Sequence, residues 1–412
     1  MAKSFYVRNA WWLFTGAVFM FGSSFGQTYF IALFAGAIRA EFGLSNGQWG
    51  GIYTVATLAS ATCLIHFGRL ADTMTVTRLA AGVLVLYALS ATTMALAPNI
   101  VVLCLAVFGL RFCGQGMMTH ISMTAMARWF RANRAKAIAV AVLGFPISEA
   151  LWPPLGVVVL DVMGWRETWL VIAGLILAVF LPALTLMTRK GRTPQGEGDN
   201  TEAPGMLGRQ WTRGEVLRHW TFWTILPGLL APPFIGTCVF FHQVHIATVR
   251  GYDLSVMALG FAMYAGISVA SSLACGPIVD RIGPARVLPV LLLPLAVAIA
   301  ILAIPAGVEI WFLTLAGIGI SHGLVITLIG AIWPTLYGTR WIGSIKALAT
   351  SGAVMSTAAG PGLTGAIIDM GVPFPEQALF LSAYCLAMTA LFTAVAPKIN
   401  AMLVAPRSAV PA

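Results

Sequence analysis

Long apolar runs, rather than short alternations, organise this chain. A helix needs about 20 consecutive apolar residues to cross a hydrocarbon core. Twelve segments qualify, at 10–38, 48–67, 79–97, 100–123, 136–160, 168–188, 220–249, 255–277, 287–305, 309–332, 345–368 and 377–396. A membrane barrel would instead alternate lipid-facing and inward-facing residues along short strands. The pattern therefore predicts helices, whose backbone polar groups are satisfied within each segment. The first run is too long for a signal-peptide core and lacks a small-residue cleavage site, so it is expected to remain as the first helix.

Composition sharpens this into an all-α integral membrane protein. Of 412 residues, 59% are hydrophobic and 9% charged, whereas soluble domains carry about 25% charged residues. A net charge of +10 would suit a nucleic-acid binder, but its placement argues against one. With both termini and the even-numbered loops on one side, that side holds 20 of the 24 Lys and Arg. Only Arg39, Arg166 and Arg250 fall opposite, and Arg111 is left inside a segment. This is the positive-inside bias. It places both termini in the cytoplasm and predicts a multi-pass protein of the cytoplasmic (inner) membrane of a bacterium, with the lipid bilayer as surroundings and no nucleic-acid partner. The six cysteines (63, 104, 113, 238, 275 and 385) all fall in apolar segments. Their spacing forms neither a metal knuckle nor a disulfide frame, and they are expected to be small packing residues.

The longest polar stretch, Arg189–Arg218, separates six segments from six. Its Gly, Pro and charge content reads as a flexible linker. The expected organisation is a six-helix bundle over 1–188, a cytoplasmic linker over 189–218 and a second bundle over 219–412. The halves repeat each other. "GRLAD" (Gly68–Asp72) matches "GPIVD" (Gly276–Asp280) at an offset of 208, and Asp161 matches Asp369 at the same offset. "LSNGQWG" from Leu44 matches "LSVMALG" from Leu254 at an offset of 210. Three matches in one order point to duplication of a six-helix unit, the parallel-repeat arrangement of one large transporter fold.

These motifs resemble those of the major facilitator superfamily along the whole chain. Gly68–Asp72 with Arg78 is similar to its signature loop after helix two, although Thr73 and Thr75 stand where Arg and Gly are usual. The second copy, Gly276, Asp280, Arg281 and Arg286, is the better match. "RWFRANRAKA" (128–137) resembles the loop between helices four and five, and "GWR" (164–166) the outer turn before helix six. Asp72 and Asp280 are expected to head the following helices, each with an Arg six residues on as an ion-pair latch, and these loops to govern conformational switching. "GEVLRHWTFW" and "RWFRANRAKA" resemble the oxalate/formate antiporter and monocarboxylate transporter branch. That branch commonly places cations inside helices eight and eleven. Here those interiors hold none, and Lys346 lies at the start of segment eleven, too shallow to serve a midplane site.

The polar residues at mid-depth carry the candidate chemistry. Arg111 lies about 12 residues into segment four, ~18 Å deep at 1.5 Å per residue. Glu149 lies 12 positions from Asp161 at the outer end of segment five. An unpaired buried charge is costly, whereas a paired one is tolerated. An Arg111–Glu149 pair or near-pair facing a central cavity is thus expected. "RFCGQG" also resembles the family's helix-four motif, in which such an arginine is associated with proton coupling, with Gln115 one residue late. His322 corresponds to Gly114 at offset 208 and can titrate or donate to an anion. Gln27, His242, Tyr264 and Gln115 complete the expected substrate-binding set, with Glu149 and Arg111 as proton-coupling residues. His242 and His245 at i, i+3 lack further ligands, so no metal site is expected.

The expected function is secondary active, proton-coupled transport of a small organic anion such as a carboxylate by alternating access, symport or antiport, with a proton or counter-substrate. A guanidinium pairs well with a carboxylate. The alternative is a proton-coupled exporter of amphipathic drugs or metabolites. No P-loop, metalloprotease motif or nucleophile triad is present, so an enzyme is not expected, nor any cofactor. A monomer is expected.

Overall fold

The computed structural model describes residues 5–130, 133–189 and 203–404, apart from the side chains of Asp72, Ala135 and Val404. Residues 131–132, residues 190–202 of the predicted linker and the Asp72 carboxylate therefore lie outside the described residues. The long elements are helices: α1 Phe5–Phe42, α2 Asn46–Phe67, α3 Val76–Ala95, α4 Ile100–Trp129, α5 Lys136–Met163, α6 Trp165–Thr188, α7 Trp220–Phe241, α8 Leu254–Ile282, α9 Pro284–Leu302, α10 Glu309–Tyr337, α11 Ile342–Asp369 and α12 Phe374–Leu403. Among the described residues, eleven of these are long and apolar enough to cross a membrane. The other, α11, is a 28-residue helix at the place of the eleventh predicted segment, diluted in apolarity by Gly, Ser and Thr.

Helix ends follow local chemistry. Ser45 and Gln48 form a reciprocal capping box at the start of α2, and Asn99 and Asp253 cap α4 and α8, satisfying amides that have no helical partner. One end departs from expectation. The Gly276–Asp280 motif was expected to be a loop with Asp280 heading the next helix. Instead α8 continues through Ile282 and turns at Gly283, where φ is +86°, followed by Pro284. Glycine tolerates positive φ and proline cannot continue a helix, so that pair sets the stop. Asp280 sits in the last turn of α8, exposed, and makes no ion pair with Arg286.

Contacts divide the chain into two compact units: residues 1–199 with 240–245 and 361–369, and residues 200–239, 246–360 and 370–412. In the first unit, small residues let backbones meet. Gly26 faces the Leu110 carbonyl and the Gly114 Cα, and Gly144 faces the Ala17 carbonyl. Close approach of this kind supplies packing where burial from lipid adds no hydrophobic gain. Gly47 and Gly50 on α2 likewise meet Ala366, Pro361 and Gly362. Asp369 then accepts from Ser45 Oγ (2.5 Å), Asn46 N (3.1 Å) and Gly47 N (2.9 Å), a carboxylate at the positive end of α2. In the second unit, Gly319 and Gly323 of α10 lie against the Tyr264 and Ser268 carbonyls of α8.

Candidate functional site

Two helices lose α-helical regularity at the same place. In α1, Ser23–Gly26 forms a 3-10 turn and Gln27 is extended (φ −87°, ψ 154°). The sequence "GSSFGQ" explains why. Ser23 Oγ donates to Met20 O (2.7 Å) and Ser24 Oγ to Phe21 O (2.8 Å), bonds that bend helices, and Gly26 admits the backbone of α4. The amides of Phe30 and Ile31 both turn to the Gln27 carbonyl, which releases the Gly26 carbonyl from helical pairing.

Facing it, α4 is π-helical over Arg111–Met118. An i→i+5 turn holds one residue more than an α turn, and such turns occur frequently at functional sites. The wider turn also leaves carbonyls unmatched, and Thr119 Oγ1 donates to Gln115 O (2.5 Å) and Gly116 O (3.0 Å).

Arg111 fills the gap between these two irregular segments and is fully buried. Its Nη1 donates to the released Gly26 carbonyl (3.0 Å) and toward Thr28 Oγ1 (3.5 Å), and its Nε to Thr57 Oγ1 (3.2 Å). The guanidinium carbon lies 4.9 Å from the Tyr53 ring centroid, a cation–π contact of about 0.5–2 kcal/mol. Thr28 Oγ1 and Tyr53 Oη share a 2.5 Å hydrogen bond, which fixes both groups around the cation. Arg111 Nη2 is buried with no hydrogen-bond partner.

The expected Arg111–Glu149 pair does not form. Among the described residues the ion pairs are Arg166–Glu41 (2.6 Å) and Arg209–Glu215 (3.4 Å). Glu149 is 2% exposed, and Tyr29 on α1 is within its electrostatic reach. Arg111 and Glu149 thus flank the same broken stretch of α1, Arg111 at Gly26 and Thr28 and Glu149 beside Tyr29. Depth along a helix does not fix which way a side chain faces. The free carbonyl in α1 meets part of the demand that a carboxylate was expected to meet.

The other expected residues separate into groups. Gln27 sits in the α1 break, with Nε2 3.4 Å from Ser23 Oγ, and Gln115 is half-buried in the π segment. His242 lies in the first unit, where its Nε2 is 2.8 Å from Thr364 Oγ1. It follows Phe241, whose ring centroid is 4.8 Å from that of Tyr53, so an aromatic path leads from Arg111 to it. His322 and Tyr264 come together in the second unit. Tyr264 Oη is 2.5 Å and Ser268 Oγ 3.3 Å from His322 Nδ1, and the two rings stack with 5.7 Å between centroids. Thr28, Tyr53 and Thr57 are not among the residues the sequence singled out for substrate. The i, i+4 spacing of Tyr53 and Thr57 puts both on one helix face and was the available signal. Of the loop residues, the Gly68 carbonyl accepts from His120 Nε2 at 3.0 Å, and Arg78, Arg281 and Arg286 are exposed.

Comparison with known proteins follows this geometry. The chain is 26% identical over 389 residues to an uncharacterized 38 kDa protein in the 23S RNA operon of Thermoproteus tenax, covering 94% of this chain and 95% of that one. It is 25% identical over 260 residues to monocarboxylate transporter 6 of Homo sapiens, covering 57% of this chain and 51% of that protein. The fold matches that of a bacterial homolog of the human lysosomal transporter Spinster with a TM-score of 0.69 at 17% identity, over 99% of this chain and 100% of that one. A model of the Major Facilitator Superfamily matches residues 13–361, and the chain belongs to that superfamily of membrane transporters.

Proposed function

We propose that this secondary transporter moves a small organic anion, a carboxylate, and couples its movement to a proton. The observation that carries the reading is the buried Arg111 Nη2, which has no protein acceptor. A guanidinium has five N–H donors in a planar fork, and here Nε and Nη1 are committed while Nη2 is not. A carboxylate offers two acceptor oxygens and a compensating charge. Tyr53, Thr28 and Thr57 hold the cation in place, so it is ordered before the anion arrives. The partial match to a protein named as a monocarboxylate transporter supports the same substrate class.

Glu149 is the proposed proton carrier. It is buried and makes no hydrogen bond or ion pair with another described residue. A carboxyl group in such a place is readily tolerated neutral and costly charged, so its protonation state is tied to solvent access. Alternating access would expose it in turn to the two sides, with both termini cytoplasmic and the chain in a bacterial inner membrane. The loop residues Gly68, Asp72, Arg78, Gly276, Asp280, Arg281 and Arg286 are proposed to influence that switching rather than touch substrate.

Uptake of labelled carboxylates into proteoliposomes tests both parts. Arg111→Ala is expected to lower uptake ~100-fold, the worth of one or two charge-assisted hydrogen bonds. Uptake at the wild-type rate would remove Arg111 from the site. Glu149→Gln is expected to keep carboxylate exchange while losing accumulation driven by a pH gradient. Accumulation that survives in this variant would exclude Glu149 as the carrier.

A further inference from the structure

The second unit contains a cavity that the Arg111 site does not explain. It measures about 280 Å³ and is lined from α7, α10 and α11, by apolar groups including Leu226, Leu230 and Ile326. All of its lining residues belong to the second unit. They lie within about eleven residues of Trp220, Tyr337 and Ile342, the arginine-rich ends of these helices, or roughly 16 Å at 1.5 Å per residue.

Its polar groups are nearly all donors. Lys346 lies on the lining, and Nζ makes one long contact, 3.4 Å, to Gly330 O. No carboxylate pairs with it among the described residues. Trp333 also lines the cavity and is fully buried, and its Nε1–H has no partner. An indole nitrogen can only donate, so this group offers no acceptor of its own. Thr350 adds a hydroxyl, and no acidic side chain contributes.

Gly330 is a third sign. It lies inside α10, where glycine is less favourable than alanine. Many helical glycines here answer to a neighbouring backbone, but a Cβ at Gly330 would meet nothing within 4 Å. The position opens on the cavity instead. Apolar walls and an ammonium with no carboxylate partner among the described residues describe a host for a molecule with an apolar tail and an anionic head.

We propose that this cavity binds a monocarboxylate with a short apolar tail, its head on Lys346 and its tail among Leu226, Leu230 and Ile326. This second site does not depend on the Arg111 reading. It would select against dicarboxylates, whose second charge would enter an apolar wall.

The test is calorimetric titration of the full-length protein, in phosphatidylcholine nanodiscs, with straight-chain carboxylates from acetate to octanoate and the matching primary alcohols. Empty nanodiscs give the partition background. Affinity is expected to rise about fourfold per added methylene until the cavity fills, with alcohols at least tenfold weaker. Lys346→Gln is expected to lose at least tenfold, Lys346→Arg to recover most of it, and Gly330→Leu to abolish the chain-length dependence by filling the space. Arg111→Ala is expected to leave that dependence intact. The proposal is overturned if Lys346→Gln binds as wild type, if Arg111→Ala removes the chain-length dependence, or if the heats match empty nanodiscs. Competition by phosphatidylglycerol with no carboxylate binding would overturn it in favour of a lipid site. If Lys346→Gln does not fold, the comparison of Gly330→Leu with Gly330→Ala decides, and equal chain-length dependence in the two overturns it.

Discussion

Arg111 on α4 and His322 on α10 occupy nearly corresponding places in the two repeats, since His322 stands 208 residues after Gly114. Their helices nevertheless differ. Around Arg111, α4 is π-helical for eight residues and its neighbour α1 is broken. Around His322, α10 stays α-helical over 29 residues, packed on α8 through Gly319 and Gly323. The number of donors explains the contrast. A guanidinium carries five N–H groups and a permanent charge, and no side chain nearby supplies enough acceptors, so backbone carbonyls are released to meet it. An imidazole needs one or two partners, which Tyr264 and Ser268 supply without any change in the backbone. Here the charged group lies among irregular backbone and the polar one within a regular helix.

The strongest way to break this comparison is to remove each group. Arg111→Ala is expected to cost ~100-fold in carboxylate uptake, whereas His322→Ala should cost roughly tenfold or less, in line with neutral against charge-assisted hydrogen bonds. Equal losses would show that the two positions share one role. Glycine substitutions probe the backbone next. At Gly114 a Cβ would meet the Gly26 Cα at 2.8 Å, so Gly114→Ala should destabilise by about 1–3 kcal/mol through overpacking. At Gly330 there is open space, and Gly330→Ala should stabilise by about 0.5–1 kcal/mol. Thermal unfolding in detergent reads both, and a raised Tm for Gly114→Ala would contradict the tight α1–α4 approach.

Smaller effects should follow from the tyrosines. Tyr264→Phe removes the 2.5 Å partner of His322 and Tyr53→Phe the 2.5 Å partner of Thr28. Each should lower uptake about fivefold, near 1 kcal/mol for a neutral hydrogen bond. The Tyr53 variant keeps its ring over Arg111, so a loss as large as that of Arg111→Ala would mean the hydroxyl touches substrate. The smallest effect lies outside the membrane. The backbone and side chain of Thr212 hold the Glu215 carboxylate below its usual range at the start of the short helix leading into α7. A lowered carboxylate contributes stability above its unfolded pKa, about 4.3, and loses it as pH falls through the lower folded value. Amide exchange over Arg213–Arg218 should therefore quicken only below about pH 4, and Thr212→Ala, which keeps the backbone donor and loses the hydroxyl, should weaken that pH dependence.

Much of the molecule was legible from the pattern of residues. Continuous apolar runs gave the helices because a lipid interior leaves the backbone no alternative to internal pairing. Repeated Gly and Asp positions gave the duplication, and an arginine in an apolar run marked the site because a charge there is too costly to be incidental. What the one-dimensional reading could not supply was direction around the helix axis. Arg111 and Glu149 share a depth, yet Arg111 turns to Gly26 and Thr57 while Glu149 lies beside Tyr29. The break in α1, the π turns of α4 and the extension of α8 to Ile282 depend on which backbones meet at Gly26 and Gly114 and on where a turn can close. Likewise Lys346 looked too shallow to matter, and only the packing of α7, α10 and α11 places it on a cavity with Trp333. Sequence set which groups must be buried in lipid, because that follows from composition along each run. Tertiary structure decided which partners they found, because hydrogen bonds require atoms to meet within about 3 Å and only the folded packing brings them there.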